Sequence, residues 1–163
     1  MRVKERFTVD GLSDVLVDYA KKFSDPVFAT FSNPAFIVIY SASGAGMGVR
    51  CVDETYRKLR ETGKQVWLIN VKLDSLSTND LMRVVESLDR DPDVTNILCL
   101  EGLETAEVSL KRKIYDIVFD RIYNPTLEKS DVPKNCVVFL PIQKDFISSI
   151  TNMVRNRMTL FEL

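Results

Sequence analysis

Apolar residues recur along this chain in two rhythms, and their alternation predicts the elements in order. From Phe36 to Ser41 the run is apolar and β-branched almost without a break. That pattern suits a strand buried on both faces of a parallel sheet. The runs Asn96–Leu100 and Cys136–Leu140 read the same way. Gln65–Val71 is the remaining strand, with Trp67 assigned to the core. Helical periodicity fills the intervals. Leu12, Val15, Leu16, Tyr19, Ala20 and Phe23 form a stripe that predicts a helix over Ser13–Phe23, capped by Ser13. Further helices are expected at Val49–Thr62, stopped by Gly63, and at Thr78–Leu88, capped by Ser77 or Thr78. The latter buries Leu81, Val84, Val85 and Leu88. A long helix over Thr105–Tyr123 would turn Val108, Ile114, Ile117, Val118 and Ile122 inward, and a last one covers Phe146–Arg157. Residues 1–10 read as an irregular arm or short strand, and 158–163 as a final extended piece. Turn signals stand at 24–26 and 32–34, flanking Val27–Phe31, and at 89–93; a polar loop spans Asn124–Lys134.

Strands that alternate with helices over short connections specify an α/β domain with a mainly parallel sheet. The 163 residues suit one domain spanning 1–163. No repeat or low-complexity segment divides them.

Composition narrows the chemistry. The net charge of −1 gives no bulk attraction to nucleic acid or to an anionic membrane. No apolar run approaches the roughly 20 residues that span a bilayer, and the N-terminal stretch lacks a signal peptide's apolar region. The three cysteines are far apart, with Cys99 and Cys136 inside apolar runs where a thiol acts as a small hydrophobe. A reducing, cytoplasmic location is expected. There is no histidine. Ser–His and Cys–His nucleophile pairs and a histidine general base are thereby excluded.

The stretch FIVIYSASGAGMGVRCVDETYRK at 36–58 couples a strand to a glycine-rich turn and a helix. Backbone N–H groups and a helix N-terminus arranged in that way cradle phosphates. The dinucleotide fingerprint fails here. Gly44, Gly46 and Gly48 are spaced G-x-G-x-G, and the acid nearest the end of the second strand is Asp74. The Walker A loop fits in length. With Gly48 as its second glycine, Ser43 takes the first, Gly46 an internal one, Val49 the lysine and Arg50 the Ser/Thr. Val49 cannot meet phosphate, and the Arg50 guanidinium repels the magnesium that a hydroxyl would hold.

The segments that follow resemble the AAA+ ATPases, particularly the MoxR, McrB and midasin branch. ILCLEGLETA at 97–106 is similar to their Walker B strand, with Glu101 at the aspartate and Gly102 at the catalytic glutamate. VPKNCVVFLPIQKDF at 132–146 resembles the approach to sensor 1, for which Gln143 is the only substitute. ITNMVRNRMTLFEL at 150–163 is similar to the family's arginine-bearing segment, with Arg155 and Arg157 in the arginine positions. The resemblance covers about residues 12–163 and stops before the family's helical lid and sensor 2. It implies a three-layer P-loop NTPase-like fold whose nucleotide contacts, if retained, are Gly44, Gly46, Met47, Gly48, Val49, Arg50 and Glu101. It also implies that Arg155 and Arg157 contact a neighbouring subunit.

Each of these residues has a plainer alternative. The glycines also suit a tight turn with no ligand, and Glu101 suits a solvated strand end. Glu104 suits a helix start, the arginines an exposed helix end, and Lys111, Arg112 and Lys113 the solvent face of the long helix. The expected function is a catalytically inactive AAA+-like subunit, a structural or regulatory module docking on copies of itself or on an active AAA+ protein. No metal or cofactor is expected beyond weak ATP or ADP. The alternatives are an atypical ATPase using Arg50 and Glu101, or a nucleic-acid-handling accessory such as a clamp-loader or helicase-loader subunit. The reduced motifs would suit a viral or phage protein.

Overall fold

The computed structural model describes residues 2–23, 36–123, 132–133, 135–150, 152–155 and 158–163. Its strands form one six-stranded sheet ordered β1-β6-β2-β5-β4-β3, with every pairing parallel. The strands are β1 (Arg2–Arg6), β2 (Phe36–Ser41), β3 (Gln65–Lys72), β4 (Val94–Glu101), β5 (Cys136–Gln143) and β6 (Thr159–Glu162). The helices are α1 (Val9–Phe23), α2 (Ala45–Glu61), α3 (Thr78–Glu86), α4 (Val108–Tyr123) and the short α5 (Asn152–Arg155). The expected α/β class is the observed one.

Each face of the sheet has its own apolar core. Ile37 and Ile39 of β2 meet Leu12 and Leu16 of α1 and Cys51, Val52 and Leu59 of α2. Phe36, Val38 and Tyr40 point the other way, toward Leu81 and Val85 of α3 and Leu110, Ile114 and Val118 of α4. Alternate residues facing opposite cores is the strand period at work. Every residue of β2 is buried. Each such aliphatic or aromatic side chain removed from water stabilises the fold by roughly 1.5–3 kcal/mol. Cys51, Cys99 and Cys136 are buried thiols, and burial pushes the Cys51 and Cys99 thiols up to about 12.

Several local expectations are corrected. The first helix opens at Val9, where Thr8 Oγ1 accepts the Gly11 N–H at 3.0 Å. Ser13, expected as its cap, is fully buried and donates to the Asp10 carbonyl at 2.8 Å. Lys58 of α2 fastens this segment by donating to Asp10 Oδ1, Ser13 Oγ and Asp14 Oδ1 at 2.7, 2.7 and 2.9 Å. Trp67 is 58% exposed rather than core. Its strand ends the sheet, so among the described residues one flank has no neighbouring strand. Val108 is 71% exposed at the start of α4 instead of facing inward.

The helix expected over 146–157 is divided into a 3₁₀ segment, Lys144–Ser149, and α5, with Ile150 extended between them. Ser148 Oγ donates to the Asp145 carbonyl at 3.2 Å, a local bond that competes with helix formation. The final piece is a true strand, β6, lying between β1 and β2. The expected segment Val27–Phe31, the Ile122 side chain and most of the polar loop fall outside the described residues.

Candidate functional site at the carboxyl edge of the sheet

Ligands of parallel α/β sheets bind beyond the carboxyl ends of the strands, where neighbouring strands lead to helices on opposite faces. Here β2 leads to α2 on one face and β4 leads to α4 on the other, with β5 between them. The tips of β2, β4 and β5 are therefore the candidate site.

At the tip of β2 only Ala42, Ser43 and Gly44 separate strand from helix. The Gly44 N–H is bonded to the Ser41 carbonyl at 3.2 Å, and the Ser43 N–H to Ser41 Oγ at 3.1 Å. Two amides that an open loop would offer to an anion are thus spent within the turn. Gly44 has φ 101 and ψ 171, a conformation essentially restricted to glycine. The helix opens at Ala45, earlier than the expected Val49, so Gly46, Met47, Gly48, Val49 and Arg50 are all helical. A Walker A loop needs an irregular run there to wrap a phosphate; the chain spends it on helix.

The glycines divide accordingly. A Cβ on Gly48 would lie 2.7 Å from Pro141 Cβ and 3.3 Å from its Cα, so this glycine lets α2 press on β5. A Cβ on Gly46 would meet nothing within 4 Å. Gly44 serves the turn and Gly48 the packing, while Gly46 has neither requirement. Val49 is half-buried and Arg50 exposed.

At the tip of β4, Glu101 is half-buried and its carbonyl accepts the Leu73 N–H at 2.8 Å. Gly102 adopts a left-handed conformation, φ 88, and starts the 3₁₀ turn Leu103–Thr105. Glu104, expected merely to open a helix, does something else. Its Oε1 accepts the backbone N–H of Gln143 at 2.7 Å, tying the β4 loop to the end of β5. The position resembling sensor 1 is thus held by a carboxylate through its main chain, while the Gln143 side chain stays exposed. Lys111 also turns toward this edge: Nζ donates to the Glu104 carbonyl at 3.3 Å and lies 5.5 Å from the Phe146 ring centre. Its neighbour Arg112 stays exposed, so the three basic residues do not form one solvent-facing strip.

Lys144 pairs with Glu162 across the tips of β5 and β6. Arg155 is half-buried at the end of α5, and Arg157 lies outside the described residues. Among the described residues no group of three acidic or cysteine side chains could hold a metal ion. The cavity under α3 and α4, lined by Phe36, Leu81, Val85, Leu100 and Ile114, is wholly apolar. Sequence patterns gave no notice of Lys58, Ser41 or Asn135. The Asn135 amide lies 2.8, 2.9 and 2.8 Å from the carbonyls of Asp89, Asp91 and Val94, closing the opposite edge of the sheet.

No protein-family model and no curated protein matches the sequence. Solved structures do match its fold. Caenorhabditis elegans PCH-2 superposes with a TM-score of 0.63 at 10% identity, over 93% of this chain and 41% of that one. A chain of Drosophila ORC bound to GC-rich DNA and Cdc6 gives 0.62 at 9% identity, over 95% and 28%. ORC2 of Aeropyrum pernix, solved in ADPNP–ADP complexes, gives 0.58 at 10% identity, over 100% and 50%. These are AAA+ ATPase-fold proteins, and the chain has that fold. It spans half or less of each of the three. No helix among the described residues is long and apolar enough to cross a membrane.

Proposed function

We propose that this chain is a catalytically inactive AAA+-like domain that serves as a structural or regulatory interaction module within an assembly. One observation carries the proposal: α2 begins at Ala45, which converts the would-be phosphate loop into a first helical turn that carries no lysine. The other tips agree. Glycine stands where the catalytic glutamate would be, and the nearest carboxylate, Glu104, is bonded to the Gln143 amide. What remains for an anion is the set of first-turn amides of α2 and the helix dipole, enough for weak ATP or ADP contact and no more. Arg155, and Arg157 beyond it, are assigned to contact with a neighbouring subunit. Placement nearest the MoxR, McrB and midasin branch rests on the order of the degenerate motifs alone.

Fold neighbours support the assembly role. The ORC structure of similar fold is a complex with DNA and Cdc6. Protein partners are favoured over nucleic acid for this chain because Lys111, first of its basic run, is occupied at the sheet edge. The test is calorimetric titration with ATP and ADP, each with and without magnesium. No binding, or magnesium-independent binding at millimolar levels, is expected. Micromolar, magnesium-dependent affinity overturns the proposal. Hydrolysis that vanishes in Arg50→Ala or Glu101→Ala would make the chain an atypical ATPase.

A further inference from the structure

Strand β3 closes one side of the sheet. It pairs with β4 in unbroken register from Gln65 opposite Val94 to Lys72 opposite Glu101, and no other described strand adjoins it. Its outer flank therefore presents a row of backbone N–H and C=O groups, a template for another strand. Devices that commonly block such an edge are confined to its last residue, the exposed Lys72. Residues 65–71 contain no proline and no charge, and no bulge interrupts the ladder. The opposite edge is protected. There the β1–β6 register shifts between Arg2 and Arg6, and Glu5 and Arg6 are exposed. Near the start of the open edge stands Trp67, 58% exposed. By strand alternation it shares a face with Ile69 and Val71, which belong to the α3–α4 core.

We propose that β3 pairs antiparallel with β3 of a second copy about a two-fold axis at Ile69, joining two sheets into one. The choice of a second copy follows from charge and register. Directly opposed residues must point to the same face, so the axis passes through a residue and not between two. Leu68 and Ile69 are the centres that overlap nearly the whole strand. Centring on Leu68 sets Lys64 against Lys72, like charge against like. Centring on Ile69 avoids that clash, sets Trp67 against Val71 and Ile69 against itself, and brings Lys64, just before the strand, toward the exposed Asp74 in the turn just after it. Opposite charges and an aromatic facing a β-branched residue are the favourable cross-strand pairs. Partial burial and nearby Lys21 hold Lys64 below the ordinary lysine range, so a facing carboxylate would be doubly welcome there.

This deepens the module reading by naming a surface and its occupant, and its test is separate. Sedimentation of the full chain from low to several hundred micromolar should show a concentration-dependent dimer. Trp67, the one tryptophan, should shift its emission to the blue in step. Trp67→Lys, at an exposed position, should fold and stay monomeric. Lys64→Glu, and separately Asp74→Lys, should raise the dimer Kd about tenfold or more, and the double exchange should restore it. A monomer at every concentration overturns the proposal, as does a dimer indifferent to Trp67→Lys. Failure of the double exchange to restore pairing equally overturns the Ile69 register. A monomer that binds no nucleotide removes this surface and leaves the inactive-module proposal standing. A dimer that binds nucleotide tightly with magnesium does the reverse.

Discussion

The Glu104 carboxylate accepts the Gln143 backbone N–H at 2.7 Å, so a side chain at the end of β4 holds the main chain at the end of β5. Glu104→Ala should lower stability by about 0.5–1.5 kcal/mol, the net worth of a typical hydrogen bond, because this one lies at an exposed edge. Glu104→Gln, which keeps an acceptor oxygen, should lose less. Urea denaturation of the two variants checks both. If Glu104 were instead a displaced catalytic base, Glu104→Gln would abolish a hydrolysis that the parent protein shows.

Lys58 binds α1 to α2 through Asp10, Ser13 and Asp14, and its effect should be visible in the pH profile. The hydrogen bond from Lys58 holds the Asp10 carboxyl below its ordinary range. The same bond raises Lys58 above the ordinary lysine range. A depressed carboxylate contributes stability that is present above its unfolded pKa and lost as pH falls through the lower folded value. A raised lysine contributes stability that is present below its unfolded pKa and lost as pH rises through the higher folded one. The pair thus favours the folded state on the plateau between, and both carboxylates are mostly exposed, so the effect is modest and salt-sensitive. Lys58→Met should lower the plateau and flatten its acid and alkaline shoulders in thermal melts taken across pH. A variant profile parallel to that of the parent would show that the network does not couple α1 to α2.

How much of this was legible depended on which interaction decided each position. The buried strand β2 and the cap of α3 were legible because local pattern decides them. Ser77 Oγ accepts the Asp80 N–H at 3.1 Å, a bond between neighbours in sequence. The start of α2 was hidden because Ala-Gly-Met-Gly has the composition of a loop. Only the approach of Gly48 to Pro141, distant in sequence, explains a glycine inside that helix. Trp67 was misplaced because apolar periodicity cannot distinguish a central strand from an edge. The occupation of Glu104 also depends on Gln143, which no local motif couples to it. The AAA+-type order of segments was readable and matches the fold. At the strand tips the sequence offered only candidate residues, whereas the structure shows the Glu104–Gln143 bond and the early start of α2.

The thiols offer an independent check on the core. Cys51 and Cys99 are fully buried, and burial lifts both to about 12. The thiolate is the reactive form, so the native protein should react with a disulfide reagent far more slowly than the unfolded chain. In denaturant all three cysteines should titrate rapidly. A fast equivalent in the native state would mean that at least one thiol reaches solvent on that timescale.

The three glycines give the sharpest separation between a packing role and a phosphate role. In a working phosphate loop all three would be sensitive, because the backbone must approach the ligand. In this structure Gly44 and Gly48 have separate requirements and Gly46 has none. Gly44→Ala forces a side chain into the φ 101 conformation and should cost about 1–3 kcal/mol. Gly48→Ala drives a methyl to 2.7 Å from Pro141 Cβ and should also cost about 1–3 kcal/mol, as overpacked cores do. Gly46→Ala meets open space and exchanges a poor helix former for the best one, so it should be neutral or stabilise by up to about 1 kcal/mol. Denaturant midpoints of the three variants, read beside ATP titrations of each, decide between the roles. Loss of nucleotide affinity in Gly46→Ala without loss of stability would restore the phosphate loop. A more stable Gly46→Ala variant, with no affinity to lose, means that this turn of chain is helix and nothing else.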